Sequence, residues 1–240
     1  LYPQQQTAVG EAYLTKTENL YALGNNVLEA GFMKVGNALY FAGCKAMNLE
    51  AGTEPFTVGF GAGETVPASA MTLQSVEMQD LTGSATAFGG AEHFNGKALV
   101  ANYTYNYKGA DVQIVWRAVL RDGSHYLRTE MELQGADVDM YDVIPMIYNV
   151  DTQAAGSTPA VVGNTRGAVL MSNKIFAGLE HPTAYNTVGE ASGEEDKWNL
   201  DHALTAQNLT ASSWQQVAES DIPNRVREAT GAGYPNVYAY

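Results

Sequence analysis

The sequence has few of the residues that would point to several common functions. Cys44 is the only cysteine, which excludes an internal disulfide and zinc sites built on paired thiolates. Lys and Arg number 13 against 26 Asp and Glu, so the formal net charge is −13. Nucleic acids and anionic membranes need clustered basic residues, and both are therefore disfavoured as partners. A neutral polyol such as a sugar is not repelled by this charge.

Charged residues and long apolar runs are also scarce. No segment approaches the roughly 18 consecutive apolar residues of a membrane span. Charged residues make up 16% of the 240-residue chain and hydrophobic residues 45%, with 24 Gly and 14 Tyr. This composition favours a sheet protein with many turns and can fill the core of one large domain. Because the first residue is Leu1 rather than Met, we expect an exported, extracytoplasmic protein (periplasmic, cell-surface or secreted) without its leader, or an excerpt from a longer chain.

The most regular hydrophobic pattern lies in residues 98–150. Four segments there alternate apolar and polar residues and are separated by Gly- and Asp-containing turns: residues 98–107, 112–121, 125–134 and 140–150. Alternate residues of a strand share one face, so one face of the second segment is apolar: Val112, Ile114, Trp116, Ala118 and Leu120. The pattern predicts four antiparallel strands joined by hairpin turns.

The opposite face of these strands is mixed. Arg117 and Arg128 lie there with Glu130 and Glu132, and Val residues lie between them. Cross-strand ion pairs would satisfy these charges on a purely structural face. Sugar sites also use polar and aromatic faces, so Arg117 and Arg128 are secondary candidates for saccharide contacts.

Weaker patterns predict strands on either side of this region, at residues 18–23, 27–35, 38–42, 72–78, 167–173 and 174–179. The first three form a meander, with Gly24-Asn25-Asn26 and Gly36-Asn37 at its turns. Residues 1–17 are a tail or an edge strand, and residues 190–240 a linker or edge extension with a weak helical period at 214–229. The expected fold is a single all-β domain over residues 1–240, a large antiparallel β-sandwich with a short irregular or helical C-terminal segment.

No complete catalytic motif is present, so the catalytic residues stay unknown. The glycine-rich residues 59–63 lack the Lys-Ser or Lys-Thr of a phosphate-binding loop, and Gly-x-Ser-x-Gly is absent. The four histidines lack helical metal-site spacing, and no calcium loop surrounds Asp137, Asp139 and Asp142. We predict no bound metal and no cofactor.

Glu180 and His181 are the most interesting polar pair. They follow a predicted strand and precede the rigid Pro182, at what would be the rim of a sheet. They form either a salt-bridged corner or a ligand-facing pair. Planar polar groups bind sugar hydroxyls and aromatic rings pack on sugar C–H faces. The predicted carbohydrate-binding residues are therefore Glu180, His181, Arg166, Asn164 and Trp198.

Two stretches carry a resemblance to known proteins: residues 163–182, with GNTRGAVL at 163–170 and IFAGLEHP at 175–182, and residues 125–130, HYLRTE. They resemble exported Bacteroidetes proteins related to glycoside hydrolases. In those proteins a galactose mutarotase-like β-supersandwich precedes a catalytic barrel. The resemblance implies that fold for about residues 98–190, and a catalytic domain C-terminal in the same chain. No epimerase motif is matched, so no catalytic residue is carried over.

These observations favour a noncatalytic carbohydrate-associated β-sandwich of an exported glycan-degrading protein, with a saccharide or glycan as partner. One alternative is an aldose epimerase or hydrolase acting on sugars, which would use the Glu180–His181 pair. Another is a surface protein-interaction domain whose Tyr-rich strands bury a partner.

Overall fold

The structure, a computed structural model, describes residues 8–44, 54–61, 64–135, 138, 140–144, 160–162, 169–172 and 175–178. Among these residues, antiparallel strands dominate, and the helical elements are two single 3-10 turns at Ala68–Ala70 and Gly90–His93. The predicted all-β class is confirmed. No helix in the described part of the chain is long and apolar enough to cross a membrane. The described residues belong to two compact units, and the single domain over residues 1–240 stays a prediction.

The first unit begins with a four-stranded meander, called sheet I, in the order β1-β2-β3-β4. Its strands are β1 Tyr13–Thr17, β2 Leu20–Gly24, β3 Glu29–Val35 and β4 Ala38–Cys44. The predicted meander is confirmed, and β1 bears out the edge-strand interpretation for the end of residues 1–17. The predicted strand start at Glu18 is wrong, because Glu18 has a φ of 52° and forms the β1–β2 turn with Asn19.

The second sheet of this unit, called sheet II, also has four strands, in the order β10-β9-β8-β7. Its strands are β7 Thr72–Leu81, β8 Gly96–Tyr107, β9 Ala110–Arg121 and β10 Arg128–Gly135. Lys108 and Gly109 join β8 to β9 with φ angles of 51° and 91°, a combination that suits a tight two-residue hairpin. Three of the four strands predicted in residues 98–150 therefore lie side by side as expected.

The fourth predicted strand lies in another sheet. β11, Met140–Ile144, pairs with β5, Thr57–Phe60, and β6, Glu64–Pro67, completes this three-stranded sheet of the second unit. The predicted hairpin between β10 and β11 is wrong, since β11 has β5 as its partner. All four residues of β5 are buried. A strand buried on both faces lacks alternation, so its sequence pattern predicted no strand there.

The second unit also contains a small antiparallel sheet in the order β12-β13-β14. Its strands are β12 Ala160–Val162, β13 Val169–Ser172 and β14 Ile175–Ala177. The last two confirm the strands predicted at residues 167–173 and 174–179, whereas β12 was not predicted. The weak helical period at residues 214–229 lies outside the described residues.

Sheets I and II pack face to face through large apolar side chains. Phe32 of β3 contacts Trp116 of β9 edge-on, with ring centroids 5.2 Å apart, and Phe41 of β4 in the same manner at 5.6 Å. The face of β9 predicted to be apolar is the core face, and its five residues are each at most 1% exposed: Val112, Ile114, Trp116, Ala118 and Leu120. The first unit is therefore an antiparallel β-sandwich.

Candidate functional site

The five residues predicted as the carbohydrate site lie outside the described residues: Asn164, Arg166, Glu180, His181 and Trp198. Their assembly at one rim therefore stays a prediction. The secondary candidates, Arg117 and Arg128, lie on β9 and β10. Both belong to the face of sheet II that points away from the Trp116 core, called the outer face below. This face carries the candidate site.

Ion pairs satisfy much of the charge on the outer face. Arg117 Nη2 lies 3.3 Å from Glu132 Oε2 on the neighbouring strand. Arg128 Nη1 lies 3.9 Å from Glu130 Oε1 on its own strand. The structural interpretation of these charges is confirmed for Arg117 and Glu132, which pair across strands. Such half-exposed pairs contribute at most about 1 kcal/mol each, so they orient side chains more than they stabilise the fold.

A small apolar cluster lies between these charged residues. Ala98, Val100 and Val119 are buried, and Leu81 and Val115 pack against them. Ala98 lies opposite Val119 in the β8–β9 register, so the two strands share the cluster. The mixed sequence pattern of the outer face thus reflects this apolar cluster, which is bordered by arginines and glutamates.

At one end of the outer face, two connections border a half-open pocket with a volume of about 280 Å³. One is the β7–β8 connection with its 3-10 turn, and the other is the β9–β10 loop. The lining consists of Gly90, Ala91, Phe94, Val119, Arg121, Asp122, Gly123, Ser124, Tyr126 and Arg128. Val119 connects the pocket to the apolar cluster.

Aromatic rings and guanidinium groups meet in this pocket. Phe94 and Tyr126 are 57% and 40% exposed, so both rings are accessible to a ligand. Arg121 Nη1 donates a hydrogen bond to the Phe94 carbonyl at 2.9 Å. Gly96 is the register partner of Arg121, and a Cβ atom there would clash with the Leu120 carbonyl oxygen and lie 2.9 Å from Arg121 Cα. The glycine therefore allows the close approach of the β8 and β9 backbones beneath Arg121.

Residues 10–12, which precede β1, form hydrogen bonds with the β9–β10 loop. This loop forms one wall of the pocket. Ala12 N donates to Asp122 Oδ1 at 2.8 Å, and Gly123 N donates to the Gly10 carbonyl at 2.9 Å. Gly10 has a φ of +76°, a conformation that L side chains rarely adopt. Residues interpreted as a possible tail thus position part of the candidate site.

Asn25 links the β9–β10 loop, the same pocket wall, to the β2–β3 turn. Its Nδ2 donates to the Ser124 carbonyl at 2.8 Å, while its Oδ1 accepts from Val27 N and Leu28 N at 3.0 and 3.1 Å. Asn25 is 7% exposed, so these bonds form largely out of water. Asn25 therefore closes its own turn and links sheet I to the pocket.

Among the described residues, few groups in or beside the pocket could act as a general acid or base. Glycoside hydrolysis needs two carboxyl groups around the scissile bond, and Asp122 is the one carboxylate among the lining residues. The nearby His93 Nε2 lies 3.0 Å from the Ala87 carbonyl within its own loop. Within the described part of the chain, no three His, Cys, Asp or Glu residues could hold a metal ion. Asp137 and Asp139 lie outside it.

Sequence reasoning missed Phe94, Arg121 and Asp122 as site residues. One signal was present: Arg121 lies on the same alternating face as Arg117 and directly precedes the Asp122-Gly123 turn. The convergence of Phe94 with Tyr126 had no local signal, because it depends on how two separate connections fold over the sheet.

Comparisons with known proteins identify no relative: no family model, curated protein or solved structure matches the chain. The fold therefore defines the class only as an all-β protein built from antiparallel sheets. The resemblance to galactose mutarotase-like domains stays a prediction.

Proposed function

We propose that this protein is a noncatalytic, carbohydrate-associated β-sandwich and that the pocket on the outer face of sheet II contributes to saccharide binding. One observation carries the proposal: two exposed rings, Phe94 and Tyr126, line the same pocket as Arg121 and Arg128. Aromatic rings pack against the C–H faces of sugars, and planar polar groups bind their hydroxyls. The pocket contains both kinds of group.

The size of the pocket supports a small ligand or the end of a longer one. Its volume of about 280 Å³ lies just below the range of about 300–1,000 Å³ typical of small-molecule sites. A pocket of this size would hold a small part of a saccharide.

The proposal also covers the fold, the location and the domain organisation of the whole protein. We propose a galactose mutarotase-like supersandwich in an extracytoplasmic protein, with a catalytic domain C-terminal in the same chain. The antiparallel sandwich of the first unit is compatible with this fold. Sequencing the native gene beyond Tyr240 tests the arrangement, since a following catalytic barrel would support it and an immediate stop codon would contradict it.

The interaction-domain alternative also stays a prediction. It relied on Tyr-rich strands facing a partner. Tyr103 and Tyr107 of β8 are 1% and 9% exposed, whereas Tyr126 is 40% exposed. The epimerase or hydrolase alternative relied on Glu180 and His181, which lie outside the described residues, and it stays a prediction.

A matched pair of phenylalanines tests the saccharide proposal. Phe94 lines the pocket, whereas Phe88 is fully exposed in the same connection and does not line it. A glycan array identifies ligands, and calorimetry measures their affinity for each variant. Phe94→Ala and Tyr126→Ala should weaken binding by about three- to tenfold, and Phe88→Ala should not change it. The proposal is wrong if no saccharide binds, or if Phe94→Ala and Phe88→Ala bind alike.

Separate variants test the predicted rim. Glu180→Ala and Trp198→Ala should weaken binding of the same saccharide if those residues contribute to it. If they have no effect while Phe94→Ala does, the site lies in the pocket alone.

A further inference from the structure

The deepest part of the pocket is apolar. Val119 is the one buried residue among the lining residues, whereas Phe94 and Tyr126 are exposed. Ala98 lies opposite Val119 on β8 and is buried as well. Both belong to the apolar cluster of the outer face. Val119 therefore forms the floor of the pocket, and its side chain presents a hydrocarbon surface to a ligand.

The arginines beside this floor are engaged by the protein itself. Arg121 Nη1 donates a hydrogen bond to the Phe94 carbonyl at 2.9 Å. Arg128 Nη1 lies 3.9 Å from Glu92 Oε1 and 3.9 Å from Glu130 Oε1. Because the two glutamates offset the positive charge, the arginines give the pocket no preference for an anion. Each guanidinium group carries five donors, so both can still contact neutral hydroxyls.

Polar groups of the β9–β10 loop form the wall of the pocket. Asp122 Oδ1 accepts a hydrogen bond from Ala12 N at 2.8 Å, and Ser124 Oγ donates one to the Tyr126 carbonyl at 2.9 Å. Asp122 and Ser124 both line the pocket. Carboxylate and hydroxyl oxygens can accept more than one hydrogen bond, so both residues can also accept from a ligand hydroxyl. The wall is thus polar where the floor is apolar.

A ligand that complements this pocket needs one apolar and one polar side. A hydroxyl held against Val119 would leave water without gaining a partner from that side chain, which is unfavourable. A methyl group in the same place would add apolar contact. Hydroxyls elsewhere on the ligand would reach the polar wall. A 6-deoxyhexose has this division, because a methyl group replaces the hydroxymethyl group of an ordinary hexose.

We propose that the pocket binds a 6-deoxyhexose unit, with its methyl group against Val119 and its hydroxyls towards Asp122 and Ser124. This inference rests on the proposed saccharide-binding function and names the class of sugar. The rings of Phe94 and Tyr126 would pack on the C–H faces of any sugar. Val119 would distinguish the methyl group from a hydroxymethyl group.

Matched sugars test the requirement for a methyl group. L-Fucose differs from L-galactose, and L-rhamnose from L-mannose, only by the oxygen atom that the deoxy sugar lacks. Calorimetry with the methyl glycosides should show at least one deoxy sugar binding about three- to tenfold tighter than its hydroxylated parent. If both parents bind as tightly as their deoxy forms, or if only other sugars such as N-acetylhexosamines bind, the proposed class is wrong while saccharide binding stands. If no saccharide binds, both proposals are wrong.

A substitution that keeps the shape of Val119 tests the residue. Val119→Thr places a hydroxyl at the floor, so the affinities for a deoxy sugar and its parent should come within about twofold of each other. Val115→Thr is the matched control, because Val115 packs against the same apolar cluster and does not line the pocket. It should leave the ratio of the two affinities unchanged. A ratio that responds equally to both substitutions would overturn the assignment.

A second variant keeps the test decisive if Val119→Thr unfolds. Val119→Ala keeps the floor apolar but shortens the side chain, and thermal unfolding followed by circular dichroism checks that the variant folds. Its affinity for the deoxy sugar should fall several-fold, and by more than its affinity for the parent, because the methyl contact is lost. An unchanged ratio of the two affinities in the folded variant would contradict the proposed contact.

Discussion

The Tyr13 hydroxyl donates a hydrogen bond to Glu29 Oε2 across the intervening strand of sheet I. Tyr13 of β1 lies opposite Gly24 of β2, and Gly24 lies opposite Glu29 of β3. The three residues form one row, and the missing side chain in its centre lets the outer two meet. The hydrogen bond links the edge strand β1 to β3, and the N-terminal extension of β1 contacts the pocket wall through Ala12.

This hydrogen bond should make stability depend on alkaline pH. It raises the pKa of Tyr13 from 10.0 to about 12, with burial and the Glu29 charge as smaller causes. Below pH 10 the phenol is protonated in both states, and the stabilisation is complete. Between pH 10 and about 12 the unfolded chain loses the proton first, so the stabilisation is lost as the pH rises.

Tyr13→Phe tests this dependence. Urea unfolding at pH 8 should show the variant to be less stable than the parent, and the difference should shrink between pH 10 and 12. Burial, followed by the charge of Glu54, also raises the pKa of Tyr103, but both proteins share that effect. A difference that stays constant up to pH 12 would contradict the role of the Tyr13 proton.

The row across sheet I predicts that Gly24 tolerates no side chain. A Cβ atom there would lie 2.7 Å from the Tyr13 hydroxyl oxygen and 2.8 Å from the Leu28 carbonyl oxygen. Gly24→Ala should cost about 1–3 kcal/mol, because the strand backbone must shift. Gly90→Ala is the control, since nothing lies within 4 Å of its Cβ position. Chemical denaturation should place Gly90→Ala within about 0.5 kcal/mol of the parent.

Truncating either of two adjacent residues of β9 should lower the free energy of unfolding by very different amounts. Trp116 is fully buried and contacts Phe32, whereas Arg117 lies on the outer face. Trp116→Ala should cost about 3–5 kcal/mol through lost burial and the cavity left behind. Arg117→Ala removes a half-exposed ion pair and should cost at most about 1 kcal/mol. Similar losses in denaturant midpoint would contradict the assignment of the two faces.

Local patterns predicted the parts of the fold that depend on neighbouring residues. The β8–β9 hairpin could be predicted because its strands alternate and Lys108-Gly109 provides the turn that joins them. The β5–β11 pairing could not, because its opposed residues, such as Val58 and Val143, are far apart in sequence. Burial on both faces also removed the alternation from β5.

The candidate site was harder to predict than the sheets. Alternation placed Arg117 and Arg128 on one face. Because Glu130 and Glu132 share that face on the neighbouring strand, a cross-strand ion pair with Arg117 could be predicted. The pocket itself requires two connections to fold over the end of that face. Phe94 and Tyr126 belong to different connections, so no spacing in the sequence indicates that they line one cavity.

The link from sheet I to the pocket wall yields the last prediction, at Asn25. Asn25→Asp keeps a side-chain acceptor for Val27 N and Leu28 N but loses the Nδ2 donor to the Ser124 carbonyl. An aspartate oxygen in that place would face the carbonyl oxygen in a largely buried position. We expect a loss of about 1–3 kcal/mol in the free energy of unfolding, measured by urea denaturation.

The neighbouring Asn26 provides the matched control. Its Nδ2 donates to the Ala8 carbonyl at 3.0 Å in an exposed position, so Asn26→Asp makes the same chemical change where water can replace the lost bond. We expect a loss of less than about 0.5 kcal/mol. Because Ser124 lines the pocket, Asn25→Asp should also weaken saccharide binding, whereas Asn26→Asp should not. Equal effects of the two substitutions on stability and binding would show that Asn25 does not hold the pocket wall.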